Sequence, residues 1–122
     1  MLYKETEIEL KLRLKARKKD YFADLDRQIP RTATVALLGC GYAPEGLMLA
    51  LLSRHRTIVG IDSDAGKVAF CQHYNLPNAT FTCADALTAP LPEADFYLIS
   101  EKNTAIIERC QMAGLQVVTL RC

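Results

Sequence analysis

The sequence predicts an α/β protein with a doubly wound, mostly parallel five-stranded sheet, and three observations carry that expectation. Short apolar runs recur along the chain, most of them separated by one segment of helix length. The first run ends in a glycine pair, Gly39 and Gly41, followed by Pro44. The second and third runs end in carboxylates, Asp62 and Asp85. Strands joined by single helices make right-handed crossover units, and such units build a parallel sheet covered on both faces.

Taken in order, residues 4–28 are rich in Glu, Lys, Arg and Leu, all strong helix formers. Ile8, Leu10, Leu12 and Leu14 alternate with charged residues at strand period, but length and propensity favour helix. Pro30 ends that helix, because the residue before a proline is pushed out of helical geometry. ATVALL (33–38) is the first strand and GLMLALLSR (46–54) an apolar helix. TIVGID (57–62) is the second strand, DAGKVAFCQHY (64–74) a helix and TFTCAD (80–85) the third strand. ALTAPLPEA, with two prolines, reads as a loop. DFYLIS (95–100), KNTAIIERCQMA (102–113) and LQVVTL (115–120) supply the fourth strand, a helix and the fifth strand. Without repeats or linkers, residues 1–122 are expected to form one domain, a helical lead-in over 1–30 and a core over 33–122.

Bulk properties narrow the function. A formal charge of +1 gives no reason to expect nucleic acid or an anionic membrane surface. No apolar run approaches the roughly 20 residues needed to cross a bilayer. The opening MLYKETEIEL alternates charged and apolar residues, unlike a signal peptide, so a cytoplasmic location is expected. The five cysteines, Cys40, Cys71, Cys83, Cys110 and Cys122, are odd in number and widely spaced. They suit neither a disulfide framework nor a metal site and are expected to act as small hydrophobes. The SRHR stretch (53–56) reads as a solvated helix end, and KARKKD (15–20) as a hydrated helix face.

In doubly wound sheets, ligands bind beyond the carboxyl ends of the strands, where the strand order reverses. Gly39 and Gly41 remove side chains where the backbone turns tightly and approaches a ligand, and Pro44 suits the first turn of the next helix. A dinucleotide fingerprint would need glycine where Pro44 stands, and its pyrophosphate would face Glu45. A tight strand-to-helix turn without a ligand is the alternative. Asp62, at the end of the second strand, is placed to accept hydrogen bonds from both ribose hydroxyls. Its alternative is a helix cap, shared with Ser63 and Asp64. Asp85 is placed to accept from an adenine amino group, or is a solvated loop acid. Tyr42 lies either over a ligand or against the N-terminal helix. Cys40, with no histidine near it in sequence, is no nucleophile.

VALLGCGYAPEGLMLA resembles the glycine-rich first motif of class I S-adenosylmethionine-dependent methyltransferases. TIVGIDSDAGKVAFC resembles their second motif, TFTCAD the third, EADFYLIS the fourth strand, and ERCQMAGLQVVTLRC the following helix and fifth strand. Residues 3–31 are similar to the lead-in of a bacterial small-molecule subgroup. The resemblance implies a Rossmann-like sheet of order 3-2-1-4-5 with an N-terminal helix, and S-adenosylmethionine as cofactor. The cofactor-binding set it implies is Gly39, Cys40, Gly41, Tyr42, Asp62, Ser63, Ala84, Asp85 and Ser100. Gly39 and Gly41 would pass beneath the methionine part, Asp62 would hold the ribose, and Ala84 with Asp85 would flank the adenine. No catalytic residue and no metal ligand are implied.

The chain also departs from that pattern. The family carries an acid near the cofactor's amino group where this sequence has Leu37, and Ala43 replaces the third glycine. Losing such a charged partner costs about 1.5–3 kcal/mol. Ser100 runs almost directly into the next helix, and the sequence stops at Cys122, before the family's sixth and seventh strands. The fifth strand, with Leu115, Val117, Val118 and Leu120, is then expected to pair through its edge with a second copy or a partner chain. Three functions follow: methyl transfer to a small molecule, a non-catalytic cofactor- or partner-binding module, or another nucleotide-binding domain.

Overall fold

The computed structural model describes residues 20–120. The alternating stretch at residues 8–14 and the basic run at 15–19 lie outside the described residues. The described chain runs α1 (Tyr21–Gln28), β1 (Thr34–Leu38), α2 (Pro44–Leu52), β2 (Thr57–Asp62), α3 (Ala65–His73), β3 (Ala79–Cys83), β4 (Phe96–Ser100), α4 (Thr104–Met112) and β5 (Val117–Leu120). The five strands are parallel, in the order β3-β2-β1-β4-β5. Leu38 pairs with Ile61 and Ile99, Asp62 with Cys83, and Ser100 with Leu120, so the carboxyl ends finish level.

Burial explains why the strand sequences lack alternation. Central β1 is covered on both faces: Val35 and Leu37 join Leu25, Leu47 and Phe70 in one core. Ala36 and Leu38 join Ile61, Ile99 and Cys110 in the other. The first core is roofed by α1, α2 and α3, the second by α4 and the loop after β3. That loop is tied down. Arg109 Nη1 donates to the carbonyls of Ala86 (2.6 Å) and Ala89 (2.9 Å). The Tyr97 hydroxyl donates to Pro92 O at 2.5 Å and accepts from Ala94 N at 3.1 Å. Gly60 is required in β2 because a Cβ there would meet the Phe81 ring at 2.5 Å.

Two boundaries differ from the sequence reading for visible reasons. α2 begins at Pro44 and stops at Leu52, because Ser53 turns extended and its hydroxyl donates to Arg31 O at 2.6 Å. β5 begins at Val117, because the Leu115 N–H is taken by Cys110 O at the end of α4, past Gly114 at φ +73°.

The solvated reading of the SRHR stretch fails at Arg56, which is fully buried. Its guanidinium donates to Pro30 O, Leu49 O, Asp26 O and Ile29 O, at 2.6–3.2 Å. These carbonyls lie at or just beyond the carboxyl ends of α1 and α2, and those of Asp26, Leu49 and Pro30 also accept from the backbone N–H groups of Ile29, Ser53 and Ala33. Asp26 Oδ1 lies 2.7 Å from Arg56 Nη2. Because that nitrogen already donates to two carbonyls, this contact is chiefly one of charge. No helix among the described residues is long and apolar enough to cross a membrane.

Candidate functional site

The strand order reverses around β1, and the turn that follows it forms the floor of the candidate site. Gly39, Gly41 and Ala43 all take left-handed backbone, at φ +65°, +55° and +49°. Glycine does this freely, whereas Ala43 bears a strain of about 1 kcal/mol or more. The turn's amides point back into the protein. Gly39 N and Cys40 N both donate to Ile61 O, at 2.9 and 3.1 Å. Gly41 N donates to Asp62 Oδ2 at 2.8 Å. A pyrophosphate would find none of these three N–H groups available, which counts against a dinucleotide at this turn.

Asp62 links the turn to the next helix. Its second oxygen, Oδ1, accepts from Asp64 N at 2.8 Å. Asp64, not Asp62, caps α3, accepting from Gly66 N and Lys67 N. Each Asp62 oxygen therefore holds one donor and retains a further acceptor site. Ser63 is exposed, and its carbonyl accepts from Cys83 Sγ. Ala84 N donates to Asp62 O at 3.0 Å, tying the end of β3 to that of β2. Asp85 is exposed and opens a turn, with Oδ1 accepting from Leu87 N at 2.9 Å.

The two glycines play different parts. A Cβ on Gly39 would meet Asn103 Nδ2 at 2.9 Å and Ile106 Cδ1 at 3.3 Å, so the start of α4 covers it. A Cβ on Gly41 would meet nothing within 4 Å. The backbone is open at Gly41 and closed at Gly39. Between them, the Cys40 and Cys71 thiols both donate to Gly41 O, at 3.8 and 3.5 Å, and the neighbouring Cys71 thiol together with burial holds the Cys40 pKa far above the ordinary thiol value. Cys40 stays protonated at neutral pH. Tyr42 packs edge-on against Phe70 of α3, with centroids 5.0 Å apart.

Beside the turn lies a cavity of about 320 Å³. Leu37, Leu98 and Leu120 form an apolar wall, and Gly39, Cys40, Gly41, Tyr42 and Ser100 line it from the turn and β4. Asp62, Ser63, Ala84 and Asp85 do not line it and stand at the ends of β2 and β3. The sequence reading missed four polar residues that do: Glu45, Lys67, Lys102 and Asn103. Glu45 is only 5% exposed, and its Oε2 accepts from the Tyr21 hydroxyl at 2.9 Å. Its position at a helix start explained it locally, and only the packing of α1 on α2 reveals its burial. Among the described residues no three His, Cys, Asp or Glu side chains group to hold a metal.

No protein-family model and no curated protein matches the sequence. Solved structures match the fold. A TehB-like SAM-dependent methyltransferase from Corynebacterium glutamicum superposes with a TM-score of 0.60 at 20% identity, over 78% of this chain and 53% of its own. Coclaurine N-methyltransferase bound to N-methylheliamine and SAH gives 0.61 at 17%, over 80% and 33%. A dimethyladenosine transferase from Plasmodium falciparum gives 0.65 at 15%, over 86% and 42%. The present chain thus spans between a third and about half of the length of these structures. The fold of the described residues is the Rossmann-like fold that these methyltransferase structures share.

Proposed function

We propose that this domain binds S-adenosylmethionine across the carboxyl ends of β1, β2 and β4 and takes part in methyl transfer to a small molecule in the cytoplasm. One observation carries the reading: the Asp62 carboxylate clamps Gly41 N–H while keeping acceptor capacity beside an open Gly41 backbone. A ribose offers two adjacent hydroxyl donors to such a carboxylate. Ser63, Ala84 and Asp85 would border the nucleoside end, and Gly41, Tyr42 and Ser100 the other. When bound, the cofactor would supply an electrophilic methyl carbon on a sulfonium. The chain's part is to hold donor and acceptor in line, because positioning accounts for much of such a reaction.

Titration calorimetry with S-adenosylmethionine, S-adenosylhomocysteine and NAD tests the reading. The first two bind and NAD does not, and Asp62→Ala abolishes binding. Absence of binding by either adenosyl ligand at millimolar concentration would sink it.

A second reading, a module that binds the cofactor or a partner without turnover, is favoured by the cover of Asn103 and Ile106 over Gly39 and by apolar Leu37. Ligand binding without methyl transfer to any acceptor in a small-molecule panel is its signature. We also place a second copy or a partner strand on the β5 edge. Among the described residues β5 pairs on one side only, and Val117 and Val118 are partly buried there.

A further inference from the structure

Two thiols from different elements converge on one carbonyl of the glycine turn. Cys40, in the turn after β1, and Cys71, on α3, both donate to Gly41 O, at 3.8 and 3.5 Å. The two sulfurs neighbour each other, and both residues pack in the first core. Gly60 makes the room, since a Cβ there would meet Cys40 Sγ at 3.3 Å. The other described cysteines are placed elsewhere. Cys110 is buried in the core on the opposite face of the sheet, and Cys83 Sγ is turned to Ser63 O at 3.6 Å.

Thiols are weak donors, so little holds either sulfur on Gly41 O. Cys40 stands between Gly39 and Gly41, residues whose backbone adjusts at low cost. Cys71 is fully buried, whereas Cys40 is partly exposed and lines the cavity, so a small reagent meets Cys40 first. We propose that Cys40 and Cys71 form a redox site that a small aliphatic disulfide closes into an intramolecular bridge between the glycine turn and α3. In the first exchange Cys40 sulfur bonds to one reagent sulfur, the reagent's S–S bond breaks, and its other half leaves as a thiol with the Cys40 proton. Cys71 sulfur then attacks Cys40 sulfur, and the second half leaves with the Cys71 proton. The two protein thiols are oxidised to one disulfide as the reagent disulfide is reduced to two thiols. The raised pKa of Cys40 slows the first exchange, so the bridge forms under sustained oxidation and not in a brief pulse. Closure removes both thiol donors from Gly41 O and ties the turn to α3. On the cofactor reading above, on which this last consequence alone rests, the oxidised domain binds adenosyl ligands more weakly.

The full chain is incubated with hydroxyethyl disulfide, and the folded fraction from gel filtration is mapped for linked peptides by mass. A Cys40–Cys71 link that dithiothreitol reduces is expected. Absence of that link, or bridges from these residues to other cysteines in its place, overturns the redox site. S-adenosylmethionine is then titrated into reduced and bridged protein. Bridging weakens it roughly tenfold or more, and dithiothreitol restores it. Affinities equal within about twofold would overturn the control of ligand binding and leave the cofactor reading in place. An equal loss of affinity when Cys40→Ala receives the same treatment rejects control through this pair. If the reduced wild type binds no adenosyl ligand, the cofactor reading falls and the control with it, while the peptide map still decides the redox site.

Discussion

Gly39 and Gly41 look equivalent in the sequence and are not equivalent in the fold. Both need left-handed backbone, but Asn103 and Ile106 crowd only Gly39. Gly41→Ala is expected to cost stability about 1–2 kcal/mol, the strain of the left-handed conformation alone. Its methyl group enters the open side of the turn and should weaken adenosyl-ligand binding roughly tenfold or more. Gly39→Ala adds a clash to the same strain and should destabilise more. Urea melts of both variants, followed by titration of whichever folds, check the order. A larger stability loss at Gly41 than at Gly39 would contradict it. Asp62 shows the same dependence on context: a helix cap is its alternative in the sequence, and in the fold Asp64 fills that role.

At the scale of elements, Arg56 fastens α1 to α2. Its buried guanidinium serves four carbonyls and stands against Asp26. Arg56→Met removes a donor from each of those carbonyls and leaves Asp26 without its main counter-charge, and should cost roughly 3–5 kcal/mol in urea unfolding. A loss below about 1 kcal/mol, the worth of an exposed ion pair, would show the staple to be dispensable. The same cluster sets an acid limit. Burial raises the Asp26 pKa, but Arg56 and Arg31 outweigh it and hold the carboxyl below its ordinary value. A carboxyl lowered on folding stabilises the native state at pH values above its unfolded pKa, near 4, and loses that contribution as pH falls through the native value. Stability of the wild type should therefore drop more steeply below about pH 4 than that of Asp26→Asn. Parallel curves for the two proteins would remove Asp26 from the account.

For the whole molecule, the consequence of sheet order is an edge. β5 has β4 on one side and no partner on the other among the described residues. Exposed edges recruit strands. Sedimentation velocity over a range of concentrations should show a dimer, and substitution of Val118 by lysine, a charge of the kind that blunts edges, should shift the population toward monomer. A monomer at every concentration rejects self-pairing through β5.

The sequence by itself determined the architecture. Apolar runs of strand length, helix-length spacers and turn residues are local signals, and the all-parallel order 3-2-1-4-5 follows from them with the resemblance of the motifs. It also brought Gly39, Cys40, Gly41, Tyr42 and Ser100 to one cavity wall. What only the tertiary structure decided is which polar groups are buried and what they face. Arg56 reads as a surface arginine because its four acceptors come from residues 26–30 and from Leu49. Glu45 reads as a helix-start acid because Tyr21 lies 24 positions away. Lys67 and Lys102 share a cavity only because parallel strands bring two helix starts to the same end of the sheet. Burial and charge pairing are properties of contacts between distant segments, and the sequence pattern of any one segment does not contain them.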